Sequence, residues 1–443
     1  DSGADVTFTR CANTGKVTLA GEQTAAWKDG VNYCVGGFVG YMGHADIFFV
    51  DCINGSTTDP TKGEVSIIGK APSALGLGGI IGVTVVAKTF EGLKNYGPVK
   101  MTASGGYSAT HRVNIGGIVG FSNVAGLVIN DCENYGHVSY GPAPALQRAD
   151  IGGILGGTKS GIGSTINRCK NGGKIEHTST VATGEQTVAG ICGCPMTGSI
   201  LNDCVNLASA EIIGGGKTGS GYDIAGIGGG PNSPDVQFNR CKNYGTVKHT
   251  VQHSNSTYVG GIAGYGYSFK QFVGCENHGQ VSSVGSTGTA YVGGIVGWGR
   301  IASDTNQSAS TRIMRDCVNY ANIDFGGNAG AGTMHAGGIA GRINDEDAER
   351  HWEEVSGCKN YGNLTFSSNP KTCYYGGLFG SVGVSAQDKG KIGGKELVRD
   401  NSTPYALAEM TDCVCYGTLK AIGKKASLFT ATARGTNCKF INS

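Results

Sequence analysis

Ile115-Gly-Gly-Ile-Val-Gly120, followed by Cys132-Glu-Asn-Tyr-Gly-His-Val138, is the stretch whose reading decides the fold. Both phrases recur along the chain. The first returns as Gly36-Gly-Phe-Val-Gly40, Gly152-Gly-Ile-Leu-Gly156, Gly260-Gly-Ile-Ala-Gly264, Gly293-Gly-Ile-Val-Gly297 and Gly337-Gly-Ile-Ala-Gly341, among others. The second is anchored at Cys11, Cys52, Leu93, Cys132, Cys169, Cys204, Cys241, Cys275, Cys317, Cys358 and Cys413. Eleven copies at spacings of roughly forty residues make internal repetition the dominant signal. The variation in spacing falls between the phrases, as loop insertions on a fixed scaffold do.

Each phrase has a strand-like grammar. Three residues before the ladder Cys stands a large apolar residue such as Phe90, Ile129, Ile166 or Phe238, and two residues after it an Asn, as at Asn134, Asn171, Asn243 and Asn277. The apolar-to-Cys distance is odd, so a bend lies between them if both point inward. Asn suits turns and bonds to neighbouring backbone, and one Asn per coil can stack as an amide ladder. In the Gly-Gly phrase the apolar residues on either side of the glycine pair, Ile115 and Ile118, also stand at odd separation. Read as a single strand, this phrase is covered on both faces, with glycines that let another backbone or side chain come close.

Helix periodicity is absent, and each repeat reads as about three short strands. The expected fold is all-β: a β-solenoid of about eleven Gly-rich repeats with short strands. It forms one continuous domain over 1–443, with a longer insertion at 381–412. Coils stacked at about 4.8 Å would make a rod on the order of 50 Å long. A β-propeller has repeats of similar length but typically only 4–8 blades.

Composition agrees with a repeat scaffold. Gly is 78 of 443 residues, far above the usual share of about 7%. Charged residues are only 15% and the net charge is +2, which gives no footprint for nucleic acid. No run of apolar residues is long enough to span a membrane. The chain starts inside a repeat, as a processed chain would. Of sixteen cysteines, ten hold the ladder position, including Cys132, Cys169, Cys241 and Cys275. Leu93 in that place marks it as a packed, unbridged position, since Leu replaces a buried thiol and not a disulfide. The six others, Cys34, Cys192, Cys194, Cys373, Cys415 and Cys438, have no pairing that spacing assigns. Sequons stand at Asn54, Asn255, Asn306, Asn363 and Asn401, and chance explains them in a chain so rich in Asn, Ser and Thr.

The paired phrases resemble the GLUG repeat of secreted and surface-attached bacterial proteins. The resemblance rests on Gly-Gly-Ile-Val-Gly at 116–120 and 293–297 and on Cys-x-Asn-Tyr-Gly-x-Val at 132–138 and 241–247. It covers nearly the whole chain and implies an extracellular or cell-surface scaffold, with adhesion as the usual role. It supplies no catalytic residues.

Candidate chemistry is sparse. The stretch Asn344 to Glu354 clusters carboxylates around His351, Trp352, Glu353 and Glu354, a candidate ligand loop for Ca²⁺ or a sugar ring, though it lacks Ca²⁺-loop order. As a bland alternative it is a solvated insertion. Cys192-Gly-Cys194 and Cys413-Val-Cys415 lack the second pair that zinc needs. The position before the ladder residue carries Asp131, Arg168 and Asp203 in succession, an acid–base set in principle and a mixed-sign surface stripe by preference. The resulting expectation is a non-enzymatic scaffold with no cofactor or metal. It would present a surface to a glycan or protein ligand and stack end to end on another domain or copy. A polysaccharide lyase or glycoside hydrolase on a β-helix is the alternative.

Overall fold

Within each coil the chain makes five short strands rather than three. The coil of Cys132 runs Leu127–Asn130, Glu133–Asn134, Val138–Tyr140, Arg148–Gly152 and Leu155–Thr158. The count rises because each phrase contains a corner. A computed structural model describes residues 5–20, 33–69, 75–102, 112–141, 148–179, 184–230, 234–267, 269–300, 312–326, 332–343, 354–367, 372–382 and 409–421, with short pieces at 391–392, 395–396, 426–427 and 440–441. Among these residues there is no helix, and none therefore long and apolar enough to cross a membrane.

Equivalent strands of successive repeats pair in parallel and in register: Leu127 with Ser164, Asn134 with Asn171, Val138 with Ile175, Ile151 with Val188. Stacking generates a β-solenoid. Its first sheet has 12 strands and its second, third and fourth have 11 each. The fifth is divided into a 5-stranded and a 4-stranded sheet. The division falls at the Cys204 coil, where only single bridges at Gly228 link Cys192 to Ala263.

The first corner precedes the ladder residue. There Arg10, Asp51, Asp131, Arg168, Asp203, Arg240, Asp316 and Asp412 all adopt φ between 51 and 54°, and Gly92, Gly274 and Gly357 adopt 61–66°. This left-handed bend turns both Ile129 and Cys132 inward, as their odd spacing requires.

The second corner is the Gly-Gly phrase itself. The sequence reading made it one strand covered on both faces. In the structure Arg112–Gly116 and Val119–Ser122 are separate strands with the bend between them. The reason is local crowding: a Cβ on Gly116 would lie 1.9 Å from Val119 O, and one on Gly117 2.4 Å from Asn134 Cγ. Ile115 and Ile118 therefore serve two different cores. The first and fifth sheets enclose one, with Ile118, Val119, Ile129 and Cys132. The third and fourth enclose the other, with Val113, Ile115, Val138 and Tyr140. Each fully buried Ile or Val contributes about 1.5–3 kcal/mol. The insertion expected at 381–412 carries a small antiparallel pair, Lys391–Ile392 with Lys395–Glu396, and the next coil resumes at Glu409–Thr411.

Candidate functional site

Between the two cores runs a column of asparagines. Asn13, Asn54, Asn95, Asn134, Asn171, Asn206, Asn243, Asn277, Asn319 and Asn360 are linked side chain to side chain. Each Nδ2 donates to the next Oδ1 at 2.7–2.9 Å. In Asn54, Asn95, Asn134, Asn171, Asn243, Asn319 and Asn360 the second Nδ2 hydrogen goes to a backbone carbonyl, as from Asn134 to Gly136 O at 3.0 Å. From Asn54 to Asn360 the column is fully buried, which removes the Asn54 sequon from consideration as a glycan acceptor.

The ladder thiols are structural too. Cys132 Sγ donates to Asn130 O at 3.3 Å, and Cys169 to Asn167 O at 3.4 Å. Cys241 and Cys275 donate in the same way to carbonyls of the preceding coil, Leu201 O at 3.3 Å and Phe238 O at 3.4 Å. All described cysteines are free. Burial pushes Cys169 and Cys275 well above the ordinary thiol range.

The corner residues weighed as an acid–base set form ion pairs instead. Arg168 clamps Asp131 through Nε at 2.9 Å and Nη2 at 2.6 Å, and Arg240 clamps Asp203 at 2.7 Å through both nitrogens. Those hydrogen bonds hold both carboxyls below their ordinary range. Arg168 and Asp203 are thus spoken for by different partners, on an exposed stripe of mixed sign. Cys192 and Cys194 do not converge either: Cys192 lies in the first core, and Cys194 Sγ accepts Arg148 Nη2 at 2.7 Å on the other face. Among the described residues no group of three or more His, Cys, Asp and Glu could hold a metal ion. His351, Trp352 and Glu353 lie outside the described residues. Glu354 opens a strand of the first sheet and accepts from Ser356 at 2.6 Å and Arg315 at 3.5 Å.

Two features were not anticipated from the sequence. The first is an aromatic column on the outside of the second sheet, made by the residue after Asn243, Asn277, Asn319 and Asn360 and, in the last repeat, after Cys415. Tyr244, His278, Tyr320, Tyr361 and Tyr416 stack with centroids 4.6, 4.5, 5.2 and 4.7 Å apart. The four tyrosines are 38–60% exposed. Tyr96 and Tyr135 form a shorter pair at 5.2 Å. Stacking hides the ring faces, so the column presents ring edges and phenol hydroxyls to solvent. Beside the column, Glu276 takes Lys242 at 3.0 Å and His278 at 2.8 Å. The recurring Tyr of Cys-x-Asn-Tyr-Gly was the available signal.

The second feature is a buried seam between the fourth and fifth sheets, where Asn114 and Asp150 lie against Gly157. One register column of the fourth sheet supplies its wall: Asn114, Asp150, Thr187, Asp223, Tyr258, Tyr291, His335 and Tyr374. Its first half is ionic. Arg112 and Arg148 both bond Asp150, Arg148 reaches Glu185 at 2.7 Å, and Thr187 Oγ1 donates to Asp150 at 2.8 Å. Burial opposes ionisation of Asp150, yet the two guanidinium groups hold its carboxyl below the usual range. Its second half is aromatic, with Tyr258, Tyr291, Tyr265 and Trp298 packed together. Asp150 and Asp223 are wholly buried. A separate groove of about 540 Å³ lies beside Phe48, Val50 and Glu91, where the Lys88 ammonium sits 3.2 Å above the Phe48 ring. No known family profile matches the chain, and neither curated proteins nor solved structures yield a match.

Proposed function

We propose that the chain is a non-enzymatic repeat scaffold, secreted or at the cell surface, that presents a ligand face in adhesion or surface assembly. The carrying observation is the exposed column from Tyr244 to Tyr416, which offers one hydrogen-bonding ring edge per coil on a rigid support. Tyr combines an apolar body with a polar tip at low cost in side-chain freedom, as binding surfaces favour. The ligand is a glycan or a protein surface. The resemblance of the repeats to GLUG proteins points the same way, and end-to-end stacking on another domain or copy belongs to the same proposal.

A glycan array with a pull-down on intact cells identifies the ligand. The triple variant Tyr320→Phe, Tyr361→Phe, Tyr416→Phe then removes three hydroxyls and keeps the stack. A loss of binding of tenfold or more at unchanged melting temperature supports this face as the binding site; unchanged affinity removes it. Light scattering across a concentration series tests the stacking.

A polysaccharide lyase or hydrolase is the second reading, favoured by Asp150 and Asp223 standing two coils apart in one column. Their complete burial weighs against it, since a catalytic carboxyl must reach its substrate. Turnover of a polysaccharide panel that is lost in Asp223→Asn would favour the enzyme.

A further inference from the structure

We propose that the outer face of the first sheet is a second ligand track, independent of the tyrosine column, which takes a linear, uncharged β-1,4-linked glycan laid along the solenoid axis. Three observations carry it. The first is an amide ladder on that face. Ile129, Ile166, Leu201 and Phe238 point into the first core, so the residue after each, Asn130, Asn167, Asn202 and Asn239, points out. Asn167 Nδ2 donates to Asn130 Oδ1 at 2.9 Å, and Asn202 and Asn239 donate to the preceding coil in the same way at 2.8 Å. Gln271 Nε2 closes the row on Asn239 Oδ1 at 2.6 Å.

The second is what these amides leave unused. In the core column the second Nδ2 hydrogen of Asn134 and of Asn171 is taken by a backbone carbonyl. On the outer row no acceptor among the described residues meets it, and the side chains are only partly buried. Each coil therefore offers solvent an N–H donor and a carbonyl lone pair, in line and about 4.8 Å apart. The other outward column of these strands is Val128, Thr165, Ile200 and Gln237, so the two columns carry no charge over these four coils. At the neighbouring corner Arg168 neutralises Asp131 and Arg240 neutralises Asp203.

The third is the groove of about 540 Å³, which continues the same face. Val50 pairs in register with Glu91, and Glu91 with Asn130. Phe48 and Val50, 40% and 44% exposed, give this end of the track an apolar wall, and Glu91 adds an acceptor. Lys88 is held by the Phe48 ring, 3.2 Å from its centre. Chemistry and period together name the ligand class. A sugar hydroxyl is donor and acceptor at once, as a primary amide is, and the apolar face of a sugar ring suits Phe48 and Val50. A pyranose linked through equatorial oxygens keeps its chain straight and advances by close to one coil per residue, whereas an α-linked chain curls away from a straight row. An extended peptide repeats its outward groups about every 6.6 Å and falls out of step with the coils.

Calorimetric titration of the full chain with β-1,4-linked oligosaccharides of glucose, mannose and N-acetylglucosamine, from disaccharide to hexasaccharide, tests the track. The expected result is that at least one series binds, with affinity rising tenfold or more from disaccharide to pentasaccharide and little beyond it, since the five amides are then covered. An α-1,4-linked glucose series should show no such gain. The double variant Asn167→Leu, Asn202→Leu removes two donors from the outer face and should lower affinity tenfold or more. Should it fail to fold, the side-chain amide resonances of wild-type Asn167 and Asn202 replace it: they shift on titration while that of buried Asn171 stays in place. No binding in any of the three series, an affinity independent of length, or an equal gain in the α-linked series overturns the proposal. Binding that survives in the double variant, or unmoved Asn167 and Asn202 resonances, places the glycan on another face, the tyrosine column included, and also overturns it. Capture of a polypeptide on this face with no oligosaccharide binding does the same.

Discussion

Asn134 touches four partners through one amide: Asn95 donates to its oxygen, and its nitrogen donates to Asn171 and Gly136, while Gly117 closes over it. Replacing it with Ala leaves buried groups on both neighbours unpaired. Asn134→Ala should therefore lower stability by about 2–3 kcal/mol in a denaturant titration. Tyr135→Ala, on the outer face one residue later, should cost no more than about 1 kcal/mol. Equal losses would place the Asn column outside the core. The column was legible in sequence because one residue type recurs at one position. Its partner was not: Gly117 stands apart from Asn134 in the chain, and only stacking shows that the second glycine makes room for the amide. The aromatic column was equally visible as letters, but exposure, not recurrence, separates a surface ring from a core one.

At the scale of the strand and its corners, the left-handed residue before each ladder position controls the turn. Gly, Asp and Arg occupy it, and the φ of Arg168 is 53°. Glycine adopts this conformation freely, whereas a β-branched residue pays at least about 1–2 kcal/mol. Stability should thus rank Arg168→Gly above Arg168→Ala above Arg168→Val, measured by thermal melts. An inverted order would contradict the corner. The same corner explains why the odd spacing of Ile129 and Cys132 was readable as a bend, while the Gly-Gly corner was misread as one strand: glycines carry no side chain to reveal the change of face. It also explains why Asp131 and Arg168 look like chemistry in sequence and act as an exposed ion pair in the fold. The ladder thiols belong to this scale as well. Thiol titration of denatured, unreduced protein should find at least the ten ladder groups free; almost none would refute their packing role.

Across the whole molecule, buried histidines set the response to acid. His177, His249 and His253 surround Tyr222, with His177 Nδ1 2.7 Å from its hydroxyl. Burial lowers His177 and His249 to about 3 and His253 to about 4. A depressed folded value means that the unfolded chain takes up the proton first. The stability is fully present above about pH 6.5 and falls as pH drops toward the folded values. At pH 5 each of the two deepest histidines should cost about 2 kcal/mol. Melting temperature should accordingly drop between pH 7 and pH 5, before carboxylates titrate, and the drop should shrink in His177→Gln. A flat profile over that range would mean that the cluster is hydrated.

The central claim is that successive repeats are successive coils of one axial stack. Along the first sheet, Glu91 is followed in register by Asn130, Asn167, Asn202, Asn239, Val273 and Arg315. Six steps at about 4.8 Å put Glu91 and Arg315 roughly 29 Å apart. The direct measurement is electron–electron dipolar spectroscopy with spin labels on these two exposed positions. A narrow distribution near that distance, shortening to about half when the second label moves to Asn202, is the predicted result. A separation that does not scale with the number of intervening repeats would contradict the solenoid.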